Sequence, residues 1–93
     1  MTDEQGALID RAAELLRAAG AREVYLFGSA VRGTMRPDSD IDLAVSGLPP
    51  ERFFKAMAQV AGVVRGPLDL VDLDESSPFT RYLQEEGKLE RVG

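Results

Sequence analysis

The chain has 93 residues, 11 Lys and Arg against 16 Asp and Glu, a formal net charge of −5, and no Cys, His or Trp. Its length predicts a single domain over residues 1–93 with a thin core, because so short a chain buries only about 60% of its unfolded surface. The composition excludes disulfides, thiolate nucleophiles, Ser-His-Asp triads and Cys- or His-ligated metals, so any catalysis falls to carboxylates, hydroxyls, Arg, Lys or an oxygen-held metal.

The acidic start Met1-Thr2-Asp3-Glu4-Gln5 is unlike a secretory leader, and its Thr2/Gln5 spacing fits a capping box. Leu8, Ile9, Ala12, Leu15, Leu16 and Ala19 recur at helical spacing, and Gly20 stops that helix. Val24-Tyr25-Leu26-Phe27 reads as a short strand ended by Gly28-Ser29, with one helical turn over Ala30–Arg32. Thr34–Ser39 is a loop, and Asp40–Val45 alternates as a strand with one buried face. Pro49-Pro50 opens a second long helix, with Phe53, Phe54, Met57, Val60 and Ala61 apolar, Phe53, Phe54 and Met57 read as core, and Gly62 closing it. Leu68–Leu73 is a third strand. Ser77-Pro78 is an N-cap followed by the first helical residue, with Phe79, Tyr82 and Leu83 facing inward, and Gly87 ends this helix before a polar tail. The order αβ(α)βαβα predicts an α/β (α+β) domain around a small sheet. No apolar run approaches the roughly 18 residues of a membrane span, and the negative charge suits neither DNA nor RNA. A cytoplasmic protein that binds neither membrane nor nucleic acid is expected.

The chemistry concentrates between Leu26 and Leu43. Asp40 and Asp42, two apart on a strand, leave the same face while Ile41, Leu43 and Val45 leave the other. At about 5.5 Å apart the two carboxylates would repel by roughly 3 kcal/mol at an effective dielectric near 20. Water screens that charge on a wet edge; in a cleft a divalent cation does, and magnesium prefers such oxygen ligands. An isolated Asp-x-Asp is ordinarily the former. Gly28-Ser29 shifts the balance: a Gly at a strand end admits close backbone approach, and the following turn offers N–H groups and a hydroxyl to phosphate. Gly-Ser, ten residues, then Asp-x-Asp arises by chance in about one chain of this length per thousand. Asp69, flanked by Leu68 and Leu70, is disfavoured mid-strand and faces away from those leucines. It is preferred as a third ligand over Asp72, which shares the leucines' parity near the strand end. Three carboxylates beside a phosphate seat describe a two-metal phosphoryl-transfer site.

On these residues the chain resembles the polymerase-β-like nucleotidyltransferase superfamily, and most closely its minimal prokaryotic branch. The similarity runs through Leu26–Val45, including Arg32-Gly33 and Pro37-Asp38-Ser39, and extends to Phe79–Lys88. Ala30 departs from the Arg many members carry at that position. The resemblance implies a palm-like small mixed β-sheet with helices packed chiefly on one face. It also implies transfer of a nucleoside monophosphate from ATP or another NTP to a hydroxyl. Gly28 and Ser29 would hold the β/γ-phosphates, Asp40 and Asp42 both of two Mg2+ ions, and Asp69 the catalytic one. So short a member implies a partner, a small helical HEPN toxin that the chain neutralises as an antitoxin (a type VII-like pair), in some pairs by placing AMP on a Tyr. The assembly would be a homo- or hetero-oligomer.

Arg32 and Arg36 stand where guanidinium groups could clamp triphosphate oxygens, or they are surface residues, one paired with Asp38. The Asp72–Glu75 run is a solvated acidic segment or a contact for a basic partner. Two other functions stay open: a non-catalytic antitoxin that masks its partner by contact, and a small-molecule nucleotidyltransferase.

Overall fold

A computed structural model describes residues 3–28, 41–64, 66–86 and 89–92. Helix α1 (Asp3–Ala18) leads into strand β1 (Glu23–Leu26); β2 (Ile41–Ser46) is followed by helix α2 (Pro50–Val64), strand β3 (Leu68–Asp72), helix α3 (Pro78–Glu85) and strand β4 (Glu90–Arg91). The sheet order is β3-β2-β1-β4, with β2 and β3 parallel and the other pairs antiparallel. It is the expected mixed sheet.

Two helix ends, the last turn of α1 and the first of α3, have a clear local cause. After α1 the N–H of Ala21 reaches the carbonyl of Leu16 and that of Gly20 the carbonyl of Arg17, both at 3.0 Å. This double closure needs a left-handed residue at its centre, and Gly20 (φ 121°) supplies it. At α3 the Ser77 hydroxyl accepts from the Thr80 N–H at 3.1 Å, and the Thr80 hydroxyl accepts from the Ser77 N–H at 3.0 Å. Pro78 at the first helical position completes the start.

The sheet has two unlike faces. On one, Val24, Leu26, Ile41, Leu43 and Val45 join Ile9, Ala12 and Leu16 of α1 and Ala56, Val60 and Val64 of α2 in the main core, with Leu68 and Leu70 packed against it. The other face carries a smaller cluster of Phe27, Ala44, Leu73 and Leu83, with Tyr25 and Val71 alongside. Two of the helices, α1 and α2, therefore cover one face, and α3 covers part of the other.

Four expectations are corrected. Helix α2 does not stop at Gly62 but runs to Val64; an exposed helical Gly costs only about 1 kcal/mol against Ala, and the next turn buries Val64 in the main core. The polar tail contains β4, which pairs with β1, and Val92 is buried, its N–H 2.9 Å from the carbonyl of Val24. Phe54 is 74% exposed rather than core, set edge-on against Phe53 at 5.7 Å. Phe79 and Tyr82 do not face inward: they are 48% and 51% exposed, and Thr80 and Leu83 hold the buried positions of α3.

Chemical denaturation should separate the two classes of apolar residue. Leu43→Ala, at a fully buried position, should cost about 2–5 kcal/mol, and Phe54→Ala about 1 kcal/mol or less.

Candidate active site

The register of the parallel pair decides where the acidic residues stand. Asp42 of β2 lies directly opposite Asp69 of β3, and the same register sets Leu43 against Leu70 and Ala44 against Val71. Partners in a ladder point to the same face. Leu43 and Leu70 enter the main core, so Asp42 and Asp69 project from the opposite face, about 4.8 Å apart by strand spacing. Asp72 is engaged elsewhere, its Oδ1 accepting the Asp74 N–H at 2.9 Å in the turn after β3.

Gly28 adjoins this pair. Beyond the β1–β2 ladder the Phe27 N–H donates to the Asp42 carbonyl at 3.1 Å, which carries the pairing one residue further toward Gly28. Gly28 is left-handed, with φ 72°. A Cβ built on it would stand 3.1 Å from Asp42 Cγ and closer still to Oδ2. The Asp42 carboxylate thus rests in the space that only glycine leaves, and two separate expected site residues come into direct contact. Ser29, Arg32, Arg36 and Asp40, with the expected turn over Ala30–Arg32, lie outside the described residues. Among the described residues no group of three or more possible metal ligands forms; Asp42 and Asp69 are a pair. As hard oxygen donors on one sheet face they suit a divalent cation that keeps part of its water.

The rest of the face is ordered in rows. Phe27, Asp42 and Asp69 form the first row; Tyr25, Ala44 and Val71 form the second. Helix α3 sits on the second row through Leu83, and its Phe79 reaches the first, edge-on to Phe27 at 5.8 Å and 70°. The contribution of Phe27 and Phe79 to the border of the site was not legible as such, since Phe27 read only as the end of a short strand and Phe79 as core by spacing. Tyr25 donates its hydroxyl proton to Glu23 Oε2 at 2.5 Å. That hydrogen bond, aided by burial and the charge of Glu23, raises the Tyr25 pKa above the usual 10.0.

Strand-turn geometry, an acidic pair across two parallel strands and a glycine abutting it agree with the expected palm-like mixed sheet. The family model described as "Polymerase beta, Nucleotidyltransferase" matches residues 13–89, and the chain belongs to that family. No curated protein matches the sequence significantly. Among solved structures, a candidate minimal nucleotidyltransferase is similar in fold at TM-score 0.72 and 23% identity, over 100% of this chain and 96% of that one. A toxin–antitoxin structure with AMP-PNP matches at TM-score 0.69 and 28% identity, over 88% of this chain and 70% of that one. A tri-AMPylated HEPN toxin of Shewanella oneidensis in complex with MNT antitoxin gives TM-score 0.67 and 25% identity, over 94% of this chain and 70% of that one. No helix among the described residues is long and apolar enough to cross a membrane.

Two outcomes are expected. Gly28→Ala should cost about 1–3 kcal/mol in denaturant unfolding, from the left-handed strain and the clash with Asp42. Adding Asp42→Ala should recover part of that loss, because the two positions share one space. For Tyr25, the raised folded pKa means its stabilisation is present below the unfolded value near 10 and is lost as pH rises through the folded one. Tyr25→Phe should therefore flatten the fall in stability above pH 10, followed by denaturation at stepped pH.

Proposed function

We propose that the chain is a magnesium-dependent nucleotidyltransferase that moves AMP from ATP to a hydroxyl of a HEPN-type helical partner and thereby acts as its antitoxin. The observation that carries this reading is the register of Asp42 with Asp69 beside the left-handed Gly28. Family membership supports nucleotidyl transfer, and the neighbouring toxin–antitoxin structures, one with an AMPylated toxin, favour a protein acceptor. The residues 1–93 would act as one minimal domain.

In this reading Gly28 and Ser29 seat the β- and γ-phosphates, and Arg32 contacts the triphosphate. Asp40, Asp42 and Asp69 hold two Mg2+ ions. When bound, these ions neutralise phosphate charge and lower the pKa of the attacking hydroxyl. The acceptor oxygen forms a bond to the α-phosphorus as the bond from that phosphorus to the bridging oxygen of pyrophosphate breaks. Asp69 helps take the hydroxyl proton, and pyrophosphate leaves with the electron pair.

The test is transfer of labelled AMP from ATP to the co-expressed HEPN partner. Asp42→Asn and Asp69→Asn should each lower transfer by at least about 100-fold with the folded structure retained, as losses of charge-stabilising groups do. Full toxin neutralisation by both variants with transfer abolished, or by a wild type that transfers nothing, would replace catalysis with masking by contact, and transfer unchanged in both variants would overturn the acidic pair as the catalytic site.

A further inference from the structure

We infer that Phe79 and Tyr82 form a stacking platform for the base of the nucleotide, beside the acidic row of the sheet. The inference rests on the nucleotidyl-transfer reading and adds to it a place for the base.

The argument begins with residues that spacing alone would bury. Thr80 and Leu83 are the buried positions of α3. Phe79 and Tyr82 each precede one of them by a residue, so at 100° per residue both lie on the same flank of the helix. The contact of Phe79 with Phe27 identifies that flank as the one turned to the β1 end, where Phe27 leads into Gly28. Both rings are about half exposed, 48% and 51%.

Distance and chemistry then select the occupant. Phe27 continues the register opposite Asp42, so the side chains of those two stand about 5 Å apart, and the Phe79 ring centroid lies 5.8 Å from that of Phe27. Phe79 is thus no more than roughly 11 Å from the Asp42 side chain, within the reach of a nucleoside from its α-phosphate to the far edge of its base. Two half-exposed rings one helical turn apart are far smaller than the roughly 800 Å² each partner gives a stable protein interface, and their scale is that of one heterocycle. Aromatic rings accept any base because every base has a π face. The other strongly exposed ring, Phe54, belongs to α2, which covers the opposite sheet face, so it does not enlarge this patch. Phe27 holds Phe79 edge-on, which fixes the platform before the ligand arrives.

Calorimetry with magnesium, comparing ATP with inorganic tripolyphosphate, tests the assignment, because the two share the phosphates and differ in the nucleoside. Tyr82→Ala, and Phe79→Leu with its apolar contact to Phe27 kept, should each weaken ATP binding about tenfold, in the range removal of a base–aromatic stack brings. Tripolyphosphate binding should be unchanged, and Tyr82→Phe should bind ATP as the wild type does. Equal losses for both ligands, or undiminished ATP binding, would overturn the platform alone. So would weakened binding of the HEPN partner with ATP affinity intact, which would make the flank an acceptor surface. Failure of the wild-type chain to bind either ligand would overturn the platform together with the nucleotidyl-transfer reading.

Discussion

The arrangement of the candidate site depends on the register of one parallel strand pair. Leu43 and Leu70 are opposite one another in the main core, and the same alignment sets Asp42 opposite Asp69 on the other face. A slip of one residue along β3 would turn its leucines out and its carboxylates in, because side chains alternate with period two. Burying an unpaired carboxylate costs several kcal/mol, a large share of the 5–15 kcal/mol typical of a whole domain. The hydrophobic pattern therefore places the acidic pair without any interaction between the acids themselves. At strand spacing they repel by about 3 kcal/mol at an effective dielectric near 20.

That cost is tolerable because, among the described residues, the second face of the sheet is only partly covered. Helices α1 and α2 close the first face, and α3 rests on the second row of the other through Leu83, Ala44 and Leu73. The first row, with Phe27, Asp42 and Asp69, is bordered by α3 through Phe79, edge-on to Phe27. The high surface-to-volume ratio of a small domain leaves little apolar material for a second face. In the proposed reading the uncovered row is what substrate and partner complete. The Gly28 backbone closes against Asp42 in a way no other residue allows.

Much of this was legible in the residues, for reasons that differ from place to place. Ser77-Pro78 announced α3 because hydroxyl caps and Pro at the first helical position satisfy or remove orphan N–H groups, and Gly20 announced the end of α1. The split of Asp42 from Leu43, and of Asp69 from Leu70, followed from alternation. Strand β4 was not legible: two residues carry no period, and Glu90 and Arg91 are polar. It forms because Val92 is buried and β1 offers an open edge, with an Arg17 Nη2 hydrogen bond to the Val92 carbonyl. Gly62 misled because glycine stops a helix through a left-handed conformation, and Gly62 is not among the glycines with positive φ. Phe54, Phe79 and Tyr82 misled because helical spacing gives the angular position of a side chain and not the width of the surface it meets. On an eight-residue helix over a four-stranded sheet that width is spent on Thr80 and Leu83.

Charge adds a constraint that the fold alone does not express. A chain of net charge −5 repels a nucleoside triphosphate at long range, but at physiological ionic strength that repulsion fades within about 8 Å. What remains is local, and at the sheet face it is two adjacent carboxylates meeting phosphate. The encounter becomes favourable only where cationic charge stands between them, and the proposed reading supplies it from divalent ions held by the acids and from Arg32. An aromatic platform contributes on different terms, because stacking on a neutral ring is insensitive to the sign of the surroundings. The two halves of the ligand would then be held by forces with different salt dependence. Phosphate binding weakens as salt screens the ions, while base stacking, driven by apolar burial, does not.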